Sequence, residues 1–230
     1  MTTKTKKFQN ILYPYARSEM LIEYNLPEKP SDVTLVLGHG KCSDMNFPLY
    51  NYLAEVLPKE NVNFVRYNYP FVDNMQSRFR HQQAVKCYEA ITEDVHHELP
   101  HTKYFFGGGR ALSALISSRY NNELVSGFVF LSFPLHTPFL KIPLKYRSLF
   151  KIKRPMMFIS GADDKRANRK KLELLMGALN PYAHLMLIPD TGQTLELMNK
   201  EKRSQEDLDK EIADILLWFM SDVIEKKMKK

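Results

Sequence analysis

The sequence predicts an α/β fold with a mostly parallel sheet and helices on both of its faces. Three observations lead there. Short apolar runs alternate with longer runs whose apolar residues recur every three or four positions. The short runs are continuously apolar, as strands buried on both faces are. Each ends in a glycine or proline turn, where loops of a parallel sheet converge and ligands bind.

The elements follow in order. "EMLIEYNL" reads as an antiparallel edge strand, and "LPEKPSD" after it as a turn. "VTLVLGHG" is a buried strand running into a glycine loop, and "FPLYNYLAEVL" has helical spacing. "VNFVRYNYP" is a strand stopped by Pro70. From Phe79 to Leu99 a long helix puts Ala84, Cys87, Tyr88 and Ile91 on one face. Then come the strand "KYFFGG", a helix from about Arg110 to Tyr120, and the strands "VSGFVFLSFP" and "PMMFISG". A helix from Asn168 to Leu179, the strand "AHLMLIP" and a helix from Gln205 to Lys226 complete the chain. In the last helix "IADILLWFM" supplies a core-facing stripe that includes Trp218.

With 230 residues, 44% hydrophobic and 26% charged, one domain over 1–230 is expected. No repeat or long linker divides it. The net charge of +7 and pI near 9.2 permit anionic partners without requiring them. Lysines and arginines gather between Lys141 and Arg154, at Lys165, Arg166, Arg169, Lys170 and Lys171, and in the final "KKMKK". Two cysteines, Cys42 and Cys87, argue against a disulfide framework and suit a reducing compartment. "MTTKTKKFQN" leads into no apolar signal region, and no apolar run is long enough to span a membrane. A cytoplasmic protein that needs no membrane is expected.

Six segments carry a family resemblance: "LGHGKCSDMNFP", "VRYNYPF", "FFGGGRALSAL", "FLSFPLHTP", "PMMFISGADD" and "LIPDTGQTLEL". From about Val33 to Leu195 the chain resembles the α/β-hydrolase fold. More narrowly, it resembles the dienelactone-hydrolase-like group that includes the KANSL/Tex-type proteins. Family members similarly read HGAG-x-DMNFP, R-x-NYPF, G-G-K-S-M-G-G, G/S-x-PLH-x-P, GxxD and G-x-DHSF. The resemblance implies a serine nucleophile on a strand-to-helix elbow, an acid and a histidine base, in that chain order.

Set against that pattern, Asp164 holds the acid position, with Asp163 beside it. His39 and Gly40 match the first-loop HG, followed by Lys41 and Cys42. Arg110 is placed at the serine, with Leu112 and Ser113 at the following glycines. Gln193 falls where the histidine belongs. Guanidinium stays protonated and cannot attack, and a carboxamide cannot take up a proton as imidazole does. These replacements point to a degenerate hydrolase that works by binding a small anion or an acidic protein partner. Arg110, Gly108, Gly109, His39, Gly40, Lys41 and Lys165 are the candidate ligand-binding residues, because a glycine turn beside a guanidinium suits carboxylate or phosphate. An internal pairing of Arg110, with Asp164 for example, is the alternative.

A second reading keeps hydrolase chemistry on a relocated nucleophile, Ser113 or Cys42, with His39 nearby. The resulting enzyme would cleave esters or thioesters. A third uses "LKYRSLFKIKR", where aromatics interleave with charges as nucleic-acid binding favours. His136 reads as structural. His96 and His97 lack further ligand types at useful spacing, so neither a metal nor another cofactor is expected. "GHGKCS" fails the phosphate-loop spacing at Leu35, and "GGG" fails the dinucleotide pattern at Leu112. The sequence leaves the oligomeric state open.

Overall fold

A computed structural model describes residues 1–9, 19–41, 43–69, 81–120, 122–137, 144, 146–201 and 203–229. The strands are β1 (Thr2–Gln9), β2 (Glu19–Leu26), β3 (Val33–Gly38), β4 (Asn63–Tyr67), β5 (Tyr104–Arg110), β6 (Val125–Leu131), β7 (Met156–Gly161) and β8 (Ala183–Ile188). They form one sheet in the order β1-β2-β4-β3-β5-β6-β7-β8. β2 pairs antiparallel with β1 and with β4, and every pairing from β4 to β8 is parallel.

The helices are α1 (Pro48–Val56), α2 (His81–Glu98), α3 (Leu112–Ser117), α4 (Arg169–Leu179) and α5 (Gln205–Met228). Alternation along each strand sends successive side chains to opposite faces. Val36, Phe128, Phe130 and Phe158 meet Tyr88 and Ile91 of α2, Ile116 of α3 and Leu172 of α4. Leu35, Leu37, Val129, Leu131 and Ile159 meet Leu53 of α1 and Ile212, Leu216 and Phe219 of α5. Each fully buried ring or branched chain contributes about 1.5–3 kcal/mol relative to exposure. The mostly parallel sheet, covered on both faces, is the fold class expected.

Local signals set the helix ends. Pro48 opens α1, where a missing N–H costs nothing. Asn168 caps α4 by accepting from the Lys171 N–H. Ser204 and Asp207 form a reciprocal capping box at the start of α5.

Three expectations change. β2 is not the edge strand, because the lysine-bearing N-terminus forms β1 outside it. The helix expected over Arg110 to Tyr120 shortens to Leu112–Ser117, since β5 runs on through Arg110. Trp218 does not face the core: it is 54% exposed, while Leu216, Phe219 and Val223 turn inward. The helical period puts Trp218 one step of about 100° from Phe219, toward the rim of the stripe. Among the described residues no helix is long and apolar enough to cross a membrane.

Candidate functional site

β5 ends at Arg110 and α3 begins at Leu112, so Ala111 makes the whole bend. Its backbone has φ 49° and ψ −101°. A non-glycine residue held there stores strain on the order of 1–3 kcal/mol. The Ala111 N–H donates to the Leu131 carbonyl at 2.9 Å, carrying the β5–β6 ladder up to the bend. The sequence reading put Arg110 at the tip; the backbone puts Ala111 there. In the G-x-S-x-G pattern of a nucleophile elbow, Gly109 is then the first glycine, Ala111 stands at the serine and Ser113 at the second glycine. Three consecutive glycines let that pattern slide by one residue in sequence, and only the positive φ fixes it.

The bend is tightly packed underneath. A Cβ on Gly109, whose φ is 155°, would lie 2.6 Å from the Gly38 carbonyl oxygen and against the Ser113 Cβ. Ser113 is fully buried, and its hydroxyl donates to the His39 carbonyl. The Ser113 Oγ also lies 3.5 Å from the Tyr69 hydroxyl oxygen. Ser113 therefore ties α3 to the loop after β3. A slip bringing it to the tip does not occur.

His39 is 1% exposed. Its Nδ1–H donates to the Gly40 carbonyl at 2.6 Å, and its Nε2 accepts from the Tyr69 N–H at 3.1 Å. That pairing fixes a neutral tautomer. Burial pushes its pKa down to about 4, with Arg110 adding to the shift and the Gly40 carbonyl and Asp44 opposing it. Nε2 thereby ties the loop after β3 to the loop after β4, while Nδ1 bonds within its own loop, so both ring nitrogens are engaged by backbone. Cys42, the other relocated nucleophile considered, lies outside the described residues.

Arg110 is 7% exposed and folds across the first loop. Its guanidinium carbon lies 4.1 Å from the centroid of the Phe47 ring, a cation–π contact. Its Nη2 donates to the Ser43 hydroxyl at 3.0 Å. A Cβ on Gly40 would come within 3.0 Å of that same nitrogen, so the glycine makes room for the guanidinium. Among the described residues no ion pair joins Arg110 to Asp164. Lys41 and Lys165 are both exposed.

The acid and histidine positions adjoin. The Asp163 N–H donates to the Thr191 carbonyl at 3.0 Å, and the Ala162 N–H to the Ile188 carbonyl at 2.9 Å. These bonds dock the turn after β7 onto the turn after β8, which carries the half-buried Gln193. A Cβ on Gly161 would collide with the Thr191 and Gly192 carbonyls. Asp164 is buried, and its Oδ1 accepts from the Arg166 N–H at 2.8 Å. Its Oδ2 is buried with no hydrogen-bond partner among the described residues. Burial raises its pKa, against the Arg166 N–H and the nearby Arg166 and His136 side chains. His136 bridges backbone, with Nδ1 2.7 Å from the Thr137 carbonyl and Nε2 2.9 Å from the Lys165 carbonyl. That is the structural placement expected of it.

Sequence reasoning missed Ala111, because the glycine run fits two offsets and only the positive φ separates them. It also missed Phe47 and Ser43 as neighbours of Arg110. Nothing in the spacing signals that contact, which links residues more than sixty positions apart in the chain.

Residues 31–221 match the family described as alpha/beta hydrolase domain. The fold is also similar to an alpha-beta serine hydrolase homologue from Coxiella burnetii, at TM-score 0.72 and 16% identity, covering 94% of this chain and 96% of that one. A serine hydrolase without a lid from Xanthomonas campestris aligns at TM-score 0.71 and 16% identity, covering 97% and 94%. Est1E from Butyrivibrio proteoclasticus aligns at TM-score 0.72 and 10% identity, covering 94% and 99%. At such identities the three structures speak for the fold alone. The family match spans most of the chain, and the strand order, elbow and turns agree with it: the protein belongs to the alpha/beta hydrolase domain family.

Proposed function

We propose that this protein uses the cleft of a hydrolase fold to bind a small anionic ligand and does not carry out serine-dependent acyl transfer. The observation that supports this most is Ala111 at the elbow, where a methyl group stands in the place from which a hydroxyl would attack. Gln193, in the turn beside Asp164, offers no imidazole to receive a proton. Ser113 has its hydroxyl committed to the His39 carbonyl and lies fully buried, so a relocated serine gains no support.

The ligand class follows from what borders the elbow. Arg110 presents a planar donor fork suited to carboxylate or phosphate, set beside the Ser43 hydroxyl. Lys41 adds an exposed cation on the same loop.

The test restores what is missing. Wild-type protein is expected to resist a fluorophosphonate probe and to leave short acyl esters and thioesters intact. The Ala111→Ser/Gln193→His double variant is expected to take up the probe at position 111. In parallel, acetate and inorganic phosphate are expected to raise the melting temperature of wild type and not of Arg110→Met. Probe labelling of the wild type at any serine would overturn the non-hydrolytic reading. Equal ligand shifts in both proteins would overturn the anion assignment.

A further inference from the structure

The start of α1, the turn after β8 and the first turns of α5 enclose a cavity of about 360 Å³. Phe47, Leu49, Leu195 and Leu197 give it apolar walls. Gln205 holds the turn in place: its Oε1 accepts from the Leu197 N–H at 2.9 Å, and its Nε2 donates to the Leu195 carbonyl at 3.3 Å. The same Nε2 donates to Asp209 Oδ1 at 2.9 Å. Asp209 lines the cavity and is only 7% exposed. Its Oδ2 has no hydrogen-bond partner among the described residues and is not sealed off. Glu196 also lines the cavity, from an exposed position, with the Thr194 hydroxyl donating to its Oε2 at 3.1 Å. Among the described residues neither carboxylate is in an ion pair. A buried carboxylate with one oxygen unanswered and no cation beside it lacks its counter-charge.

We propose that this cavity binds a small organic amine in its protonated form, with the ammonium group on Asp209 and Glu196 and the carbon chain against Phe47, Leu49 and Leu197. The volume and the apolar walls with few polar groups are those of a small-molecule site. A calcium ion would want six or more oxygens and would leave the apolar walls unused. An anion gains little from the helix end that borders the cavity. Pro48 has no N–H there, and the Tyr50 and Asn51 N–H groups both donate to the Phe47 carbonyl. Lys200 lines the cavity as well, but it is exposed and pairs with neither carboxylate. Burial raises the Asp209 pKa, the Gln205 hydrogen bond opposes the rise and Glu196 adds to it, so the two carboxylates feel each other. Tyr52 of α1 reports the same acidic ground: burial raises its pKa, and Glu206, Asp214, Asp209 and Glu55 raise it further. Arg110 touches Phe47 but does not line the cavity, so the amine position is separate from the anion position and stands without it.

Ligand-detected NMR titration of the full chain with butylammonium, and separately with butyrate and 1-butanol, tests this directly. Wild type is expected to bind butylammonium in the millimolar range, and the neutral and anionic analogues of the same length far more weakly. Asp209→Asn keeps the shape and removes the charge. It is expected to weaken butylammonium about tenfold or more and to leave 1-butanol unchanged. Should Asp209→Asn fail to fold, Glu196→Lys at its exposed position decides: it too is expected to weaken the amine and not the alcohol. Equal binding of amine and alcohol to wild type, no binding at tens of millimolar amine, or amine binding unchanged in the folded variant would sink the proposal. So would a calcium ion that displaces the amine from wild type and fails to bind Asp209→Asn, since the site would then belong to a metal.

Discussion

Replacing His39 with glutamine is expected to flatten the acid side of the stability curve. The wild-type ring is nine-tenths or more withdrawn from water, and both its nitrogens are bonded. Burial, the largest influence, holds its pKa at about 4 instead of the ordinary 6.5. Above pH 6.5 the ring is neutral in folded and unfolded chains alike, and it adds no pH dependence. As pH falls below 6.5 the unfolded chain takes up a proton that the folded ring refuses. Stability is therefore lost progressively until the folded ring itself titrates near pH 4. Each pH unit in that window costs about 1.4 kcal/mol, so the loss reaches about 2 kcal/mol by about pH 5 and about 3 kcal/mol in full.

His39→Gln removes that slope. At neutral pH it gives up about 1–3 kcal/mol in exchange for imperfect hydrogen bonding to Gly40 and Tyr69. Burial raises the pKa values of Asp164 and Asp209, which works in the opposite direction. Both groups are present in wild type and variant and cancel in the difference. Glu98, held down at about 2 by Lys4 and Lys6, loses its contribution only below the ordinary carboxylate range. Urea unfolding of both proteins between about pH 7 and about pH 5 therefore isolates the histidine. If the two lose stability in parallel, the neutral, clamped ring is not what sets the acid limb and the assignment falls.

Two further substitutions probe the elbow. Gly108→Ala is expected to cost about 3 kcal/mol or more, because its Cβ would come 2.8 Å from the Val129 backbone carbon and closer still to its oxygen. An unchanged urea midpoint would contradict the β5–β6 register. Ala111→Gly is expected to raise stability by about 1 kcal/mol, since relief of a left-handed alanine exceeds the entropy cost of glycine. A fall in melting temperature would mean that the bend is not strained at that residue.

The sheet was legible because its signals are local and redundant. Continuous apolar runs and the helical spacing on α2 point to the same elements. β1 was not legible, since a strand with three lysines has no apolar pattern and is recognised only by what it pairs with. The elbow was legible as a place but not in its register. "GGGRAL" satisfies the glycine pattern at two offsets, and the choice depends on a dihedral angle. Trp218 failed for a different reason. A tryptophan in an apolar stripe reads as core unless the width of the partner face is known, and that width is a tertiary quantity.

The persistence of the bend at Ala111 shows that the fold can be kept there without a reactive side chain. Nothing that holds the strained backbone depends on a reactive side chain. The Ala111 N–H is bonded to β6, Gly109 lies against Gly38 and Ser113, and Ser113 is tied to the His39 carbonyl. Those contacts over-determine the bend whatever residue occupies it. The likeness to the solved hydrolases, at 10–16% identity, is one of overall fold. On the function proposed above, acyl transfer would need two more things: a hydroxyl at position 111 and a proton acceptor at position 193. A methyl group and a carboxamide stand there, and neither is visible to a comparison of backbones.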